Sequence, residues 1–375
     1  MKIKTRKKSL AGQGEGGLKK ASPKIEFIGT GCTAFDLALS GKGRRGGFAR
    51  GRIANIVGDG STGKTLLALE TAAWCYHNLK KVRSKIFPPV KNMSIVYNNV
   101  EGVMDFPLET MFGRGFSRSI EWIRISTAEA IGRDLQRRVK AMKKGDFFLY
   151  ICDSWDGVKP EEEVDRFEKE AKTDKKISDG YGLSKQQYVG EFFRNITDTI
   201  YGNEYSTTYD YQTNQKDVTL LFNSQIRQKI NATKFEKQVY RVGGKAFDFW
   251  THQVAWLYRA GKIQPEKKGK KVTIGVKVRA VIERNKCAPP WKEANFPILF
   301  DYGIDDIGSM VDFVCGPQSK GFSFKGISSN VKEKFITALE DKNLADEFRS
   351  HYIETWHKIE DSAKVVRRPK YEDNS

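Results

Sequence analysis

The chain has 375 residues, of which 39% are hydrophobic and 12% aromatic, and its formal net charge is +19. This composition suffices for a sizeable core, and no apolar run approaches the roughly 20 residues that a membrane-spanning helix needs. Five scattered cysteines, none in C-x-x-C spacing, indicate neither a disulfide framework nor a zinc site. Because no apolar segment follows the basic start, a secretory signal is not expected, and we expect a cytoplasmic protein.

Part of the positive charge lies in residues 1–24, which hold eight lysines and arginines against one glutamate and show no periodicity. We expect this segment to be a flexible basic tail. An excess of twelve positive charges remains in residues 25–375. This excess favours a polyanionic partner, because cations that contact phosphates release counterions and bind strongly. A surface that is basic only for solubility is the alternative.

Globular patterning begins at Ile25, and strand-like apolar runs then alternate with helical patterns. Such alternation favours an α/β fold with a mostly parallel sheet and helices on both faces. Short helices follow residue 317, so we predict a core over 25–317 and a small α-rich C-terminal domain with a polar tail over 318–375. The predicted strands are 52–57, 94–97, 147–153, 219–225, 254–258, 272–282 and 296–299, and the predicted helices are 66–70, 128–142, 328–340 and 344–359.

Three segments are too long for the short connections that compact α/β units use. Residues 161–181 are highly charged, 201–217 are rich in Tyr, Thr and Asn, and 227–244 mix basic, aromatic and glycine residues. Loops of this size are usually functional or mobile, and we interpret 201–217 as a surface insertion. Residues 265–271 are predicted to form a lysine-rich turn.

The first predicted strand, residues 52–57, runs into a glycine-rich loop and then into a helix, which is the arrangement of a phosphate-binding loop. Glycines let backbone N–H groups turn towards an anion, and the helix N-terminus adds partial positive charge. Lys64 can reach the β- and γ-phosphates of a nucleotide, and Thr65 can offer its hydroxyl to Mg²⁺. A plain glycine turn is the alternative. The loop residues are Gly58, Asp59, Gly60, Ser61, Thr62, Gly63, Lys64 and Thr65.

Asp153 ends the apolar run 147–153. A carboxylate at the C-terminal edge of a parallel sheet can hold the hydration shell of Mg²⁺ beside a phosphate loop. An aspartate that only caps the next segment is the alternative. With the loop upstream, Asp153 predicts the second half of a site for a nucleoside triphosphate and magnesium.

Further motifs follow in one order and resemble the core of the bacterial RecA family. The similarity covers about residues 25–360 and implies a RecA-like P-loop NTPase core that uses ATP with Mg²⁺. Its divergence resembles a phage-type recombinase more than a cellular housekeeping copy. The motifs are residues 28–36, the phosphate loop, 97–105, 153–154, 221–230, 243–247, 283–289, 296–304 and 322–326.

The resemblance implies roles for single residues near the nucleotide. Glu101 would polarise the attacking water, and Gln225 would sense the γ-phosphate and signal to the loop that follows it. A surface glutamate and a buried, satisfied amide are the respective alternatives. Asp105 matches the acid that contacts adenine. Leu108 stands where the family has an aromatic residue, so base stacking either falls to Phe106 or is lost.

Arg284 and Lys286 match two family lysines that reach into the ATP of the neighbouring subunit, so the resemblance implies catalytic cations supplied in trans. Arginine is not an equivalent donor to lysine, and a different geometry is expected at Arg284. Surface cations after a strand are the alternative. Residues 1–24 lack the family's long docking helix, so either 25–28 joins subunits by strand addition or assembly differs.

The loop after Gln225 interleaves cations with aromatic rings, which is typical of a surface for single-stranded nucleic acid. A solvated loop is the alternative. Residues 161–181 occupy the place of the family's first DNA-binding loop, but their mixed charge is equally typical of a solvated face. The predicted DNA-binding residues are Arg227, Lys229, Lys234, Phe235, Lys237, Tyr240, Arg241, Gly243 and Gly244.

The resemblance therefore implies a DNA-dependent ATPase that assembles as a helical filament on single-stranded DNA and pairs it with homologous duplex DNA, away from membranes. One alternative is a RecA-fold hexameric helicase, which the Gln-Ile-Arg and Asn-Lys-x-Ala-Pro runs disfavour. Another is a DNA-binding mediator with little ATP turnover. The retention of four site residues disfavours the mediator: Lys64, Thr65, Glu101 and Asp153.

Overall fold

The computed structural model of the chain describes residues 25–102, 104, 106–173, 184–201, 215–228, 239–241 and 244–367. The strands in these ranges are β1 (Phe27–Ile28), β2 (Phe48–Ala49), β3 (Ile53–Gly58), β4 (Asn92–Asn99), β5 (Ile120–Ile123), β6 (Asp146–Asp153), β7 (Val218–Gln228), β8 (Val239–Arg241), β9 (Gln253–Ile263), β10 (Glu266–Lys267), β11 (Lys270–Lys271), β12 (Gly275–Asn285), β13 (Glu293–Leu299), β14 (Gly303–Ile304), β15 (Phe322–Phe324) and β16 (Ile327–Ser329).

The helices of the same ranges alternate with these strands through the first two thirds of the chain. None of them combines the length and apolarity that crossing a membrane requires. They are α1 (Thr33–Ser40), α2 (Lys64–Asn78), α3 (Leu108–Phe112), α4 (Arg114–Ser117), α5 (Ala128–Ala141), α6 (Glu161–Thr173), α7 (Ser184–Tyr201), α8 (Gly244–Trp250), α9 (Asp306–Cys315), α10 (Lys332–Asp341) and α11 (Ala345–Ser362).

One large sheet organises the core, with strand order β14-β13-β12-β9-β3-β7-β6-β4-β5 and with β8 paired to β7. From β9 to β5 the neighbours are parallel, whereas β12, β13 and β14 join antiparallel. The predicted α/β class with a mostly parallel sheet is confirmed. The antiparallel part arises because the β10–β11 hairpin alone separates β9 from β12, and residues 286–292 alone separate β12 from β13. These connections are too short for the crossover that a parallel pair needs.

The parallel strands are covered on both faces, which explains their continuous apolar sequence. On one face, Ile56 of β3 lies in a buried cluster with Leu67 and Leu69 of α2. On the other face, Tyr150 and Phe222 pack with residues of α5 and α7. Helix α5 presents its buried residues at spacings of three or four, as an amphipathic helix on a sheet requires; they are Ala128, Ile131, Asp134, Leu135 and Val139.

Several predicted boundaries differ from the observed ones, and two of the predicted starts differ because a short hairpin lies there. The strand predicted from 272 begins at Gly275, because Val272 and Ile274 lie exposed beside the β10–β11 hairpin, where the lysine-rich turn was expected. The helix predicted from 328 begins at Lys332, because residues 327–329 pair with 322–324 as a hairpin. In both places a short hairpin occupies or adjoins the first residues predicted for the neighbouring strand or helix. The apolar pattern of those residues resembles a continuation of that element.

The long segments also differ from plain loops. Residues 161–173 form α6, and residues 174–183 lie outside the described residues. Of 201–217, the ends are described: the Tyr201 hydroxyl and the Gln215 amide both donate to the carbonyl of Gly51, and Asp217 binds the buried Arg50 guanidinium. The insertion is thus anchored on the strand edge where β3 begins.

The segment 25–28, a possible strand for addition to a neighbour, is paired within its own chain. Phe27 and Ile28 pair antiparallel with Ala49 and Phe48. One edge of β1 is therefore occupied in the folded chain.

The C-terminal elements pack on the core through α9. Phe335 and Phe348 pack edge to face, and the Arg349 guanidinium lies 3.4 Å from the Asp306 carboxylate. Asp306 also accepts hydrogen bonds from the amide and hydroxyl of Thr33 on α1, at 2.6 and 2.8 Å. The predicted boundary at residue 317 falls between α9 and β15 and stays a prediction.

Glu70 predicts a pH dependence of stability. Its half-buried carboxylate accepts the N–H of Ile304 at 3.0 Å, and burial raises the pKa of Glu70 from 4.5 to about 7. The folded chain thus holds this proton more tightly than the unfolded chain does. We expect the free energy of unfolding to fall as pH rises from about 4.5 to 7, by about 3 kcal/mol for this group.

Urea denaturation at pH 5 and pH 8 measures this effect. Glu70→Gln is expected to remove most of that pH-dependent loss, so the variant gains stability over the wild type at pH 8. Glu333→Gln, at an exposed position on α10, is the matched control. Equal pH slopes for the wild type and Glu70→Gln would contradict the assignment.

Candidate nucleotide and nucleic-acid site

The glycine-rich loop joins β3, which ends at Gly58, to α2, which begins at Lys64. Gly63 has a φ of +87°, in the left-handed region, and a Cβ there would collide with the side chain of Ile298 on β13. The backbone conformation therefore favours glycine at 63, and a side chain there would in addition displace the end of the Ile298 side chain. Inside the loop, Asp59 Oδ1 accepts the N–H of Gly60 at 2.7 Å and the Thr62 hydroxyl donates to the Asp59 carbonyl at 2.8 Å.

Lys64 is held over this loop. Its Nζ donates to the carbonyls of Gly58 at 2.9 Å and Asp59 at 2.8 Å. Burial lowers the pKa of Lys64, while the nearby carboxylates of Asp153 and Glu101 oppose that shift. A partly desolvated cation at a helix N-terminus is suited to a phosphate, because both charges interact more strongly away from water.

Thr65 and Asp153 meet as predicted. The Thr65 hydroxyl donates to Asp153 Oδ2 at 2.7 Å, and the same oxygen accepts the hydroxyl of Tyr97 at 2.6 Å. Magnesium is usually held by one or two protein oxygens together with phosphate oxygens and water. Hydroxyl and carboxylate oxygens at this spacing fit that donor set. The described residues contain no cluster of three or more His, Cys, Asp or Glu that would form a separate metal site.

Tyr97 is a site residue that the sequence analysis missed. It lies fully buried in β4, and β4 pairs in parallel with β6, the strand that ends at Asp153. Burial, and then contact with Asp153, raise the pKa of Tyr97, so its hydroxyl stays a donor. The available signal was a tyrosine in the strand just before Glu101, but the pairing of β4 with β6 was needed to interpret it.

Glu101 and Gln225 also meet, although 124 positions separate them. Gln225 Nε2 donates to Glu101 Oε1 at 2.9 Å, and the hydroxyl of Ser154 donates to the same oxygen at 2.9 Å. Strands β3, β4, β6 and β7 are parallel, so their C-terminal ends share one edge of the sheet. That edge brings together Lys64, Thr65, Asp153, Glu101 and Gln225.

Asp105 lies outside the described residues. Phe106, one candidate for base stacking, packs partly buried against the core. Two aromatic residues that the sequence analysis missed, Phe300 and Tyr302, are 50% and 57% exposed and follow Ile298, which contacts the loop at Gly63. Exposed rings beside a phosphate loop can stack on a flat apolar group.

Arg284 and Lys286 lie at the opposite edge of the sheet, that is, where the parallel strands begin and not where they end. Asn285 pairs with Gln253, and Gln253 pairs with Ala54 near the start of β3. Gly58 lies four residues farther along β3, which is about 13 Å of strand. The structure therefore does not bring these two cations to the phosphate loop of their own chain.

This opposite edge carries concentrated positive charge. Burial, together with the charges of Arg52, Lys286 and Arg284, lowers the pKa of His252 to about 3. Arg284 Nε is buried and has no hydrogen-bond partner among the described residues, and Lys286 Nζ donates to the carbonyl of Phe249 at 2.6 Å. The cationic side chains that the structure describes at this edge could bind an anion.

The segment after Gln225 begins as a hairpin. Strands β7 and β8 pair antiparallel, with Arg227 opposite Tyr240 and Ile226 opposite Arg241. Arg227 and Tyr240 are exposed, as a nucleic-acid surface requires. Gly244 begins α8. The remaining predicted contacts lie outside the described residues: Lys229, Lys234, Phe235, Lys237 and Gly243.

The assignment of Arg241 to the nucleic-acid surface is corrected. Its side chain is 4% exposed, its guanidinium bonds Asn55 and Asp248, and it lies over the ring of Phe247. Turning the guanidinium outward to a phosphate would leave the fully buried Asn55 without its donor and would break the pair with Asp248, whose side chain is 49% exposed. Arg241 instead fastens β8 to β3 and α8.

Comparisons with known proteins agree with this architecture. The model of the RecA N-terminal domain matches residues 208–305, which include the paired strands β7 and β8 and the antiparallel strands β12 and β13. The chain is similar to Protein RecA of Fusobacterium nucleatum, 26% identical over 328 residues, 86% of this chain and 74% of the relative. It is also similar to Protein RecA of Helicobacter pylori, 25% identical over 335 residues, 88% of this chain and 83% of the relative.

A third relative, Protein RecA of Nitratiruptor sp., is 25% identical over 323 residues, 84% of this chain and 80% of its own length. Matches of this extent include both the phosphate-loop half and the later strands. Together with the central sheet and the site residues gathered at one of its edges, these similarities support assignment of the chain to the RecA family.

Proposed function

We propose that the chain is an ATP-dependent DNA recombinase that forms filaments on single-stranded DNA and carries out homologous pairing and strand exchange in recombinational repair. One observation carries this proposal. The residues of a phosphoryl-transfer site meet at one sheet edge, and Gln225, a member of that site, lies on the strand that leads into the nucleic-acid hairpin. Similarity to proteins named RecA supports the same activity.

In this proposal ATP is the substrate, and its terminal phosphoryl group is transferred to water. The loop amides and Lys64 hold the phosphates, and Glu101 orients the attacking water, with Ser154 and Gln225 orienting its carboxylate. Thr65 and Asp153 would hold Mg²⁺, which supplies charge neutralisation at the phosphate oxygens when bound. Phe300 and Tyr302 would flank the adenine.

Assembly follows from the two sheet edges. The phosphate loop lies at one edge and the cations Arg284 and Lys286 lie at the other, about 13 Å of β3 away. A head-to-tail arrangement of protomers would bring the cations of one onto the nucleotide of the next. Head-to-tail interfaces that do not close generate helical filaments, and closed ones generate rings.

The DNA contacts would follow from the hairpin. Gln225 senses the nucleotide, and Arg227, two residues farther along β7, contacts phosphates of single-stranded DNA, with Tyr240 available for stacking. Hydrolysis would change the position of Gln225 and release the hairpin. We further propose a phage-type branch of the family, which identities of only 24–26% to the bacterial proteins support. Five free cysteines support a cytoplasmic location.

Electron microscopy of the full chain with single-stranded DNA and a non-hydrolysable ATP analogue tests the proposal. We expect helical filaments, and an ATPase rate that DNA stimulates. Closed rings would favour a hexameric motor instead. Tight DNA binding with background ATP turnover would favour a mediator, and a monomer that ignores both ligands would contradict all three functions.

A further inference from the structure

We propose that Asp156 is a positioning residue that holds Arg227 away from nucleic acid until the nucleotide site is engaged. This inference rests on the proposed recombinase function, and it concerns a residue to which the sequence analysis gave no role. It is carried by the hydrogen bond from the Gln225 backbone to Asp156 and by the position of Asp156 beside Arg227.

Asp156 is rigidly placed. It follows β6 in a single helical turn, Trp155–Gly157, whose Trp155 is buried among four phenylalanine rings with centroids 4.9 to 5.9 Å away. A turn anchored by a packed tryptophan has little freedom to move. The carboxylate of Asp156 is therefore a fixed point against which β7 can shift.

The two oxygens of this carboxylate have different surroundings. Oδ2 accepts the backbone N–H of Gln225 at 2.6 Å. Oδ1 is buried, has no hydrogen-bond partner among the described residues and lies 3.9 Å from Nε of Arg227. The Asp156 side chain is 7% exposed and that of Arg227 is 53% exposed. Burial raises the pKa of Asp156, and the charge of Arg227 opposes that shift.

Gln225 connects Asp156 to the nucleotide site. Its backbone binds Asp156, and its side chain donates to Glu101, which also accepts from Ser154. A movement of Gln225 towards a γ-phosphate therefore changes the Asp156 contact in the same step. The two responses are linked through one residue and need no longer pathway.

The charge balance gives the direction of the effect. Arg227 partly compensates a buried carboxylate that has an unsatisfied oxygen. When Arg227 turns to a nucleic-acid phosphate, it leaves that carboxylate with less compensation, which costs free energy. Asp156 and the phosphate thus compete for one guanidinium. While the Gln225 amide stays on Asp156, β7 keeps Arg227 within reach of the carboxylate, and a movement of Gln225 carries Arg227 away with the strand. The competition therefore disfavours nucleic-acid binding most in the state without nucleotide.

Asp156→Asn tests this competition, because asparagine keeps the shape and an acceptor for the Gln225 amide but removes the charge. Binding of the full-length variant to a fluorescent single-stranded oligonucleotide is measured with and without a non-hydrolysable ATP analogue. We expect affinity without nucleotide to rise about threefold to tenfold, with little change in its presence, so that the nucleotide dependence of binding shrinks. Asp341→Asn, at an exposed position on α10, is the control for net charge.

A double-mutant cycle with Arg227→Gln separates this role from a general structural one. If Asp156 acts through Arg227, its substitution has no further effect on nucleotide dependence in the Arg227→Gln background. Arg227→Gln alone, at an exposed position, is expected to lose more affinity with nucleotide than without it. This single variant also serves if Asp156→Asn does not fold.

Several outcomes would overturn the inference alone while the wild type still binds DNA in a nucleotide-dependent way. They are an unchanged nucleotide dependence in Asp156→Asn, the same change in Asp341→Asn, an effect that persists without Arg227, or an equal loss in both states for Arg227→Gln. Absence of nucleotide-dependent binding in the wild type would instead overturn the proposed function, and this inference with it.

Discussion

Lys64→Ala is expected to reduce DNA-stimulated ATP hydrolysis by at least about 100-fold, the usual cost of removing one preorganised donor from a site where charge develops. The Lys64 ammonium is buried at the start of α2 and is aimed along the loop by the carbonyls of Gly58 and Asp59. No other described cation is bound to these loop carbonyls. Phosphate release with saturating single-stranded DNA measures the effect.

The control for this substitution is Lys80→Ala. Lys80 follows the same helix, is exposed and carries the same charge, so it matches the change without touching the loop. We expect wild-type turnover from it, and cooperative thermal unfolding from both variants, which shows that each still folds. An undiminished ATPase rate in Lys64→Ala would remove the glycine-rich loop from the mechanism.

Mixing two inactive variants is expected to restore activity. Lys64→Ala lacks the loop cation and Lys286→Ala lacks a cation of the opposite edge, so each protein alone assembles only defective sites. When both are present in equal amounts, about a quarter of head-to-tail interfaces join an intact loop to an intact opposite edge. We therefore expect about a quarter of the wild-type DNA-stimulated rate from the mixture.

The geometry of the sheet is the reason for this expectation. Lys286 follows the end of β12 that pairs with the start of β9, whereas Lys64 lies beyond the end of β3. A mixture of Lys64→Ala with Thr65→Ala is the control, since both changes lie in one loop and no interface in that mixture contains an intact site. Recovery in the control, or none in the test mixture, would contradict a shared site.

Local sequence was sufficient for the phosphate loop. Glycine at 63, the cation at 64 and the hydroxyl at 65 act within one strand–loop–helix unit, so their spacing alone specifies their geometry. The apolar runs of β6 and β7 were equally clear, because strands buried on both faces need continuous hydrophobic sequence. Element ends were less clear where short hairpins, such as β15–β16, interrupt a helical pattern.

Charge and aromatic content alone did not distinguish an exposed cation from a buried one. Arg227 and Arg241 lie in the same basic stretch, yet β7–β8 pairing exposes the first, while the second is buried over Phe247. Tyr97 and Asp156 were missed for the same reason. Their partners lie on strands that are distant in sequence, and only strand order reveals them.

By itself, the sequence determined the strand, glycine-rich loop and helix on an α/β core, because those features depend on residues close together in the chain. The tertiary structure decided which carboxylates, amides and cations share an edge with that loop. Sheet order brings Glu101, Asp153 and Gln225 to Lys64 and carries Arg284 and Lys286 to the far edge. The sequence gives the chemistry of each side chain directly, whereas the distance between two site residues depends on how strands far apart in sequence pair.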